Sequence, residues 1–175
     1  YNFLKALSRN KNFSLYGKSW DKEILPIDFP FLFIINKIRF LKKCLSQYYK
    51  RIYPSILNKG SVKNKLKTIS KYKFCLAIEP YIGKPTMILE KIFDPMLVGT
   101  IPVYYGPDFK EIPENTFIRI TENTNPNEIM NYLENLSEEE ISKYRKNIYE
   151  FLISKKANKF RFSFFANRII NILKK

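Results

Sequence analysis

The sequence predicts an α/β fold, in which a sheet is built through right-handed helical crossovers. Residues 73–79 and 101–105 are short apolar runs of β-compatible residues, a pattern typical of buried strands. Between them, residues 86–98 have the composition of a helix that ends at Gly99. Short alternation of strand and helix favours an α/β sheet.

Upstream of these strands the sequence predicts short elements and one long helical segment. We expect a helix at residues 1–9 and a short strand at 13–16, closed by Gly17. A basic, largely helical insertion is expected at about 29–57. A short amphipathic helix should follow at 62–70.

Downstream, the sequence predicts one more strand and a series of C-terminal helices. Pro126 suits the first turn of a helix, and residues 137–140 form a capping-box sequence. We therefore expect a strand at 117–120, a helix at about 125–135, and C-terminal helices over about 138–174, the last beginning at 160.

Length and charge limit the possible functions without selecting one. The chain has 175 residues, 45% of them hydrophobic, which suits one domain with a real core. The formal net charge is +15, and residues 1–70 carry 15 Lys and Arg against 3 Asp and Glu. Such a field attracts nucleic acid, an anionic membrane surface or a phosphorylated substrate. The chain is also rich in Lys, Asn and Ile, which can reflect an AT-rich genome.

The residue types present exclude several kinds of catalytic and metal site. The chain has no histidine, which excludes Ser-His-Asp and Cys-His catalysis and most zinc sites within it. Asp94 has no Asp-x-Asp partner, so we predict no metal. Cys44 and Cys75 make no disulfide framework and favour a reducing compartment. No apolar run approaches the ~20 residues that span a bilayer.

A candidate site lies where the first predicted buried strand ends. In open α/β sheets, ligands bind beyond the carboxyl ends of the strands, and Glu79 ends this strand. The following loop leads to a helix that begins near Thr86, and a helix N-terminus suits a phosphate. Lys91 can neutralise a diphosphate, while Glu90 can accept hydrogen bonds from sugar hydroxyls. This pattern predicts a nucleotide-sugar site, although a Glu-Lys pair alone is usually a solvated helix pair.

Several segments keep a common order over roughly residues 13–120. They are Tyr16 to Lys18, Gly60 to Val62 with Lys65 and Leu66, Tyr72 to Glu79, Glu90 to Asp94, Val98 to Gly106, and Phe117 with Ile118. Together these segments resemble the donor-site region of the α-1,3-fucosyltransferases (glycosyltransferase family 10 type). No single segment is specific, but their combined order and spacing are.

The resemblance implies a fold and a reaction. The fold would be the C-terminal, donor-binding half of a GT-B-type enzyme, a Rossmann-like parallel sheet flanked by helices, with the N-terminal acceptor domain absent from this chain. The reaction would transfer fucose from GDP-fucose to a glycan hydroxyl with inversion and without an essential metal or other cofactor. The general base would lie outside this chain, so no catalytic residue is assigned.

The resemblance also implies roles for individual residues. Lys91 would bind the pyrophosphate, and Glu90 the fucose or ribose hydroxyls. The backbone at Thr86, Met87 and Ile88 would add N–H donors. The remaining candidates near the donor are Glu79, Lys73, Tyr105 and Gly17.

Departures from the family pattern keep other functions open. Pro80 replaces an amide side chain, and Met87 to Leu89 replace an aromatic ring and a hydroxyl. The alternatives are transfer from another nucleotide sugar, a non-catalytic scaffold and, last, a basic nucleic-acid-binding module, so no nucleic-acid partner is expected. The basic insertion suggests an anionic membrane surface as a partner, although a core helix with a solvated basic face also explains it. The expected location is cytoplasmic or peripheral membrane, or the Golgi lumen for a eukaryotic protein.

Overall fold

The computed structural model describes residues 2–17, 59–79, 90–161, 163, 164, 166, 167 and 170. The chain divides into two compact units, Tyr1–Lys63 and Asn64–Lys175, and we describe each by itself. The predicted insertion at about 29–57 lies outside the described residues, as does Cys44.

The first unit contains helix α1 (Asn2–Leu7), which is shorter than the predicted 1–9. The predicted strand at 13–16 is reduced to a single bridge. Two hydrogen bonds lie beside it, from the Lys59 amide to the Leu15 carbonyl (2.8 Å) and from the Gly17 amide to the Gly60 carbonyl (2.9 Å). Gly17 and Gly60 have φ of 148° and 82°, so the backbone is not extended at either of these two residues.

The second unit begins with helix α2 (Lys65–Ile69), within the predicted 62–70. The Asn64 side chain accepts a hydrogen bond from the Lys67 amide (2.9 Å) and so caps the helix. This cap explains why the helix begins three residues after the predicted start.

A three-stranded parallel sheet forms the centre of the second unit, with strand order β1-β2-β3. Its strands are β1 (Phe74–Ile78), β2 (Ile101–Tyr105) and β3 (Ile118–Arg119). Phe74 pairs with Ile101, and Ile78 pairs with Tyr105. Residues 101–104 are all buried, as expected for a central strand with neighbours on both sides. The described strands and their flanking helices confirm the α/β prediction.

Helix α3 (Glu90–Leu97) connects β1 to β2 and buries Ile92, Pro95 and Met96. Gly99 follows it with φ of 72°, a left-handed conformation that ends the helix at little steric cost. The strand-helix-strand unit around α3 is what places the residues after β1 and β2 at one edge of the sheet.

Two further helices follow β3, namely α4 (Pro126–Asn135) and α5 (Glu138–Ile153). The predicted capping box is present, because the Ser137 side chain accepts from the Glu140 amide and the Glu140 carboxylate accepts from the Ser137 amide. A 3₁₀ helix (Ala157–Phe160) follows, so the predicted start of the last helix at 160 is wrong. Residues 163, 164, 166, 167 and 170 are helical.

Candidate functional site at the carboxyl edge of the sheet

The three parallel strands end at a common edge, where backbone hydrogen bonds align their last residues. The Glu79 amide donates to the Tyr105 carbonyl (2.8 Å), which joins the end of β1 to the end of β2. The Ile120 amide donates to the Tyr104 carbonyl (2.9 Å), which joins β2 to the end of β3. The predicted candidates Glu79 and Tyr105 therefore lie side by side.

The ammonium group of Lys91 lies at this edge. Its Nζ donates to the Ile78 carbonyl at 2.8 Å, although the side chain comes from α3. Among the residues that the structure describes, no carboxylate forms an ion pair with Lys91. An ammonium group has three donors, so one bond to a carbonyl leaves two for a ligand. The half-buried charge is thus anchored by the backbone and stays available to an anion.

Glu79 is a buried residue of the same edge, with 3% of its surface exposed. Its side chain packs beside Gly106, since a Cβ at Gly106 would lie 2.9 Å from the Glu79 Cγ. Burial of a carboxylate at the end of a strand is costly unless its surroundings compensate, and such positions are common in functional sites.

Tyr104 lies beneath the edge with 1% exposure. Burial, and next the Glu79 carboxylate, raise its pKa to about 12, so the phenol stays protonated at neutral pH. Among the described residues, none is a hydrogen-bond partner of its hydroxyl. A Cβ at Gly106 would meet that hydroxyl at only 2.3 Å. Gly106 is therefore required to let Tyr104 fill this position.

Arg119 is a residue of this edge that the sequence interpretation missed. Its Nη1 donates to the Gly106 carbonyl (3.1 Å), and its Nη2 pairs with the Asp108 carboxylate (2.8 Å). Its guanidinium lies 5.5 Å from the centroid of the Tyr104 ring, within cation–π range. The signal that could have found it is its position as a charged residue at the end of a predicted strand, which also identified Glu79.

Glu90 is exposed at the start of the described part of α3. One turn further along α3, the Asp94 carboxylate pairs with the Lys65 Nζ at 2.6 Å. A hydrogen bond to Asp94 is the largest influence on the pKa of Lys65 and raises it, and Glu90 adds a smaller attraction. The segments Lys65-Leu66 and Glu90 to Asp94 are thus joined by an ion pair.

The other predicted site residues lie elsewhere or are outside the described residues. Lys73 precedes β1 at the opposite, amino edge, where its Nζ pairs with the Glu138 carboxylate. Gly17 belongs to the first unit. Thr86, Met87 and Ile88 lie outside the described residues. Their donor-binding roles stay predictions.

Two features are absent from the part of the chain that the structure describes. No group of three or more acidic, Cys or His residues is arranged to hold a metal ion in that part of the chain. Within the same residues, no helix combines the length and apolar character needed to cross a membrane.

Comparison with known proteins gave a family match and several relatives. The family model for the C-terminal region of glycosyltransferase family 10 (fucosyltransferase) matches residues 36–160. Human 4-galactosyl-N-acetylglucosaminide 3-alpha-L-fucosyltransferase 9 is 37% identical over 75 residues, which is 41% of this chain and 21% of that protein. The Drosophila melanogaster alpha-(1,3)-fucosyltransferase B is 37% identical over 71 residues, which is 39% of this chain and 16% of that protein.

A solved structure is also similar. A crystal structure of an alpha1,3-fucosyltransferase with GDP is 29% identical, with a TM-score of 0.42, over 60% of this chain and 33% of that one. The matched part of the chain spans only about a fifth (21%) of the length of the human relative. The family match nevertheless covers more than half of this chain and confirms the predicted resemblance. This chain therefore belongs to glycosyltransferase family 10, the fucosyltransferases.

Proposed function

We propose that the second unit binds the diphosphate of a nucleotide sugar, GDP-fucose, at the carboxyl edge of its sheet. The observation that carries this proposal is the anchored ammonium of Lys91, 2.8 Å from the Ile78 carbonyl. A cation at the carboxyl ends of parallel strands is suitably placed for a phosphate ligand. Family membership supports fucose as the sugar, and the names of the relatives agree.

The proposed reaction is an inverting displacement at the anomeric carbon of fucose. A glycan hydroxyl oxygen attacks that carbon from the face opposite the diphosphate, the carbon–oxygen bond to the β-phosphate breaks, and GDP leaves. The hydroxyl proton passes to a general base that we do not assign to this chain. Negative charge builds on the leaving phosphate, where Lys91 stabilises it without a metal. Glu90 is exposed next to Lys91 and accepts hydrogen bonds from sugar hydroxyls.

The proposed acceptor is a 4-galactosyl-N-acetylglucosaminide or a related glycan. This assignment follows the name of the human relative, which matches 41% of this chain. We leave Lys73 out of the proposed donor site, because it lies at the amino edge and pairs with Glu138. A cytoplasmic or membrane-surface location is proposed only from the sequence.

The test is calorimetric titration of the chain with GDP, GDP-fucose and UDP. Replacing Lys91 by Ala should weaken GDP binding by ~10- to 100-fold, because a charge-assisted hydrogen bond is worth about 1.5–3 kcal/mol. Lys73→Ala is the matched control, since it removes an equal charge from the same unit and should leave GDP affinity nearly unchanged.

Each alternative result has a definite meaning. Equal losses of GDP affinity in Lys91→Ala and Lys73→Ala would mean that GDP responds only to the net charge of the unit. That result would overturn the assignment of Lys91. A preference for UDP over GDP would keep the site and replace the donor. Lack of binding to any nucleotide, with a folded wild-type chain, would favour the scaffold function.

A further inference from the structure

Arg119 and Asp108 form an ion pair at the carboxyl edge of the sheet. The Nη2 of Arg119 lies 2.8 Å from the Oδ1 of Asp108, and its Nη1 donates to the Gly106 carbonyl at 3.1 Å. Asp108 follows β2, and Arg119 ends β3. The pair therefore shares the edge at which Lys91 is bound, but it lies at β2 and β3 whereas Lys91 lies at β1.

Two aromatic rings and the backbone hold the guanidinium of Arg119 in place. Its Cζ lies 5.5 Å from the centroid of the Tyr104 ring and 5.1 Å from that of the Phe117 ring, both within cation–π range. Both rings are buried in the core. A group that is fixed before a ligand arrives loses little conformational entropy on binding, so this guanidinium suits recognition of a ligand.

The pair is open to a ligand although its two members contact each other. The side chain of Asp108 is 87% exposed and that of Arg119 is 30% exposed. A carboxylate and a guanidinium each have more hydrogen-bonding positions than these contacts use. Arg119 also lines an open cleft of about 430 Å³ beside β3, together with Tyr132 and Tyr144, so a ligand group has room next to the guanidinium.

The charges of the pair indicate which part of a nucleotide sugar it would contact. The carboxylate of Asp108 repels a phosphate and compensates the charge of Arg119, so the pair does not suit the diphosphate. A neutral group with both donors and acceptors is a better match. In the proposed donor site the diphosphate lies at Lys91 and sugar hydroxyls at Glu90, both on α3. The base is the part of the donor that is left.

The order of donors and acceptors in the pair matches guanine. The edge of guanine presents the O6 acceptor, the N1–H donor and the 2-amino donor in sequence. Its complement is one donor beside two acceptors, which an N–H of Arg119 and the two carboxylate oxygens of Asp108 supply. Uracil presents acceptor, donor and acceptor, so one of its carbonyl oxygens would face the carboxylate. The pair therefore favours guanine over uracil.

We propose that Arg119 and Asp108 together recognise the guanine base of the donor. Arg119 donates a hydrogen bond to O6, and the Asp108 carboxylate accepts hydrogen bonds from N1 and the 2-amino group. This inference rests on the proposed function, because that function places the diphosphate at Lys91. It adds the residues that select GDP over UDP.

The test is calorimetric titration of the full chain with GDP and with inosine diphosphate, which lacks only the 2-amino group. The wild type should bind GDP ~10-fold more tightly, because inosine diphosphate loses one hydrogen bond to a charged acceptor. Asp108→Asn keeps the side-chain shape and should weaken GDP binding by ~10-fold and remove most of this preference. Asp108 is exposed, so this variant should fold as the wild type does.

Two further variants sharpen the test. Glu111→Gln is the matched control, because Glu111 is exposed in the same loop and its replacement removes an equal charge. It should keep the GDP affinity and the preference for GDP. Arg119→Lys keeps the positive charge but loses the planar fork. It should weaken the binding of GDP and inosine diphosphate by the same factor, ~5-fold, because both nucleotides have O6.

The outcomes separate this inference from the donor proposal. Tighter GDP binding in Asp108→Asn would mean that the carboxylate competes with the ligand for Arg119, and it would overturn the inference. Equal wild-type affinities for GDP and inosine diphosphate would do the same, as would equal effects of Asp108→Asn and Glu111→Gln. In these cases the donor site stands if Lys91→Ala still weakens GDP binding. A wild-type chain that binds no nucleotide would overturn both proposals.

Discussion

Lys73 and Lys91 lie at opposite ends of β1, and their ammonium groups have different neighbours. At the amino end, Lys73 pairs with the exposed carboxylate of Glu138, so the two charges cancel. At the carboxyl end, Lys91 is held by the Ile78 carbonyl, which fixes its position and leaves its charge uncompensated by any described carboxylate. The comparison shows that the group bound to a lysine ammonium, rather than the residue type, indicates whether that ammonium can bind a ligand.

The same contrast extends to the rest of the two edges. At the amino end, polar contacts connect elements to one another, as in the bond from the Arg145 Nε to the Gly99 carbonyl (3.1 Å). At the carboxyl end, Gly106 and Arg119 lie beside Tyr104. The buried hydroxyl of Tyr104 has no hydrogen-bond partner among the described residues. We therefore expect amino-edge variants to change stability alone and carboxyl-edge variants to change nucleotide binding as well.

The largest effect on stability is expected for Gly106→Ala. The new Cβ would lie 2.3 Å from the Tyr104 hydroxyl and 2.6 Å from its Cζ, so the ring must move. Overpacking of this kind costs about 1–3 kcal/mol, and we expect the upper part of that range by urea denaturation. GDP affinity should fall too.

Two further variants control this prediction. Adding Tyr104→Phe to Gly106→Ala removes the closer clash and should restore part of the stability, but not all, because the Cζ contact stays. Gly99→Ala meets no atom within 4 Å and should cost only the strain of its φ of 72°, about 1–2 kcal/mol. Full stability in Gly106→Ala would contradict the packing described for Tyr104.

A smaller loss of stability is expected for Thr100→Val at the amino edge. Thr100 is fully buried, and its hydroxyl lies 3.1 Å from the Ile69 carbonyl and 3.0 Å from the Tyr72 carbonyl. Valine keeps the shape and removes the hydrogen bond, which should cost about 1–2 kcal/mol in thermal unfolding. GDP affinity should not change, and Thr100→Ser should retain most of the stability. A fall in GDP affinity would break the distinction between the two edges.

The ion pair between Lys65 and Asp94 should contribute less. Both singly neutralised variants, Lys65→Met and Asp94→Asn, should lose about 0.5–1 kcal/mol, because Lys65 is mostly exposed and solvent screens the pair. A double-mutant cycle measures the coupling between the two side chains. If the pair also orients α3, the two variants will lower GDP affinity by similar factors, whereas a purely structural pair will leave it unchanged.

The smallest effect should come from the pair of Lys73 with Glu138, and it should depend on pH. A hydrogen bond from Lys73 lowers the pKa of Glu138 below its ordinary value of 4.5. Its contribution to stability is therefore present above pH 4.5 and lost as the pH falls through the lowered pKa. The thermal midpoints of wild type and Glu138→Gln should differ slightly at pH 7 and low salt and converge at pH 3. A difference that grows in acid would contradict this sign.

Local signals made much of the second unit predictable. The predicted strands at 73–79 and 101–105 match β1 and β2 within one residue at each end. A short apolar run bounded by turns is typical of a buried strand and is too short for most helices. The capping box of α5 was identified because its two hydrogen bonds form between residues three apart. The strand predicted at 13–16 is reduced to a bridge at Leu15, because strand pairing is a long-range property that local residue types do not determine.

The candidate site was predictable only in part. Glu79, Lys91 and Tyr105 were identified from their positions after strands or on a helix, and the structure brings these three to one edge. Arg119 was missed, because its importance comes from contacts with Gly106 and Asp108, which depend on the register of β2 with β3. Lys73 begins the predicted strand, but only the tertiary structure pairs it with Glu138 at the amino edge.

The sequence by itself therefore determined the family, the alternation of strands and helices and the presence of a Glu-Lys pair after the first buried strand. These properties depend on residue type and short spacing, which are visible along one chain. Only the tertiary structure decided that Lys73 is paired with a carboxylate whereas Lys91 is bound by a carbonyl. It also brought Tyr132, Tyr144 and Arg119 to one cleft. Such neighbours are distant in sequence, so they are set by strand register and helix packing.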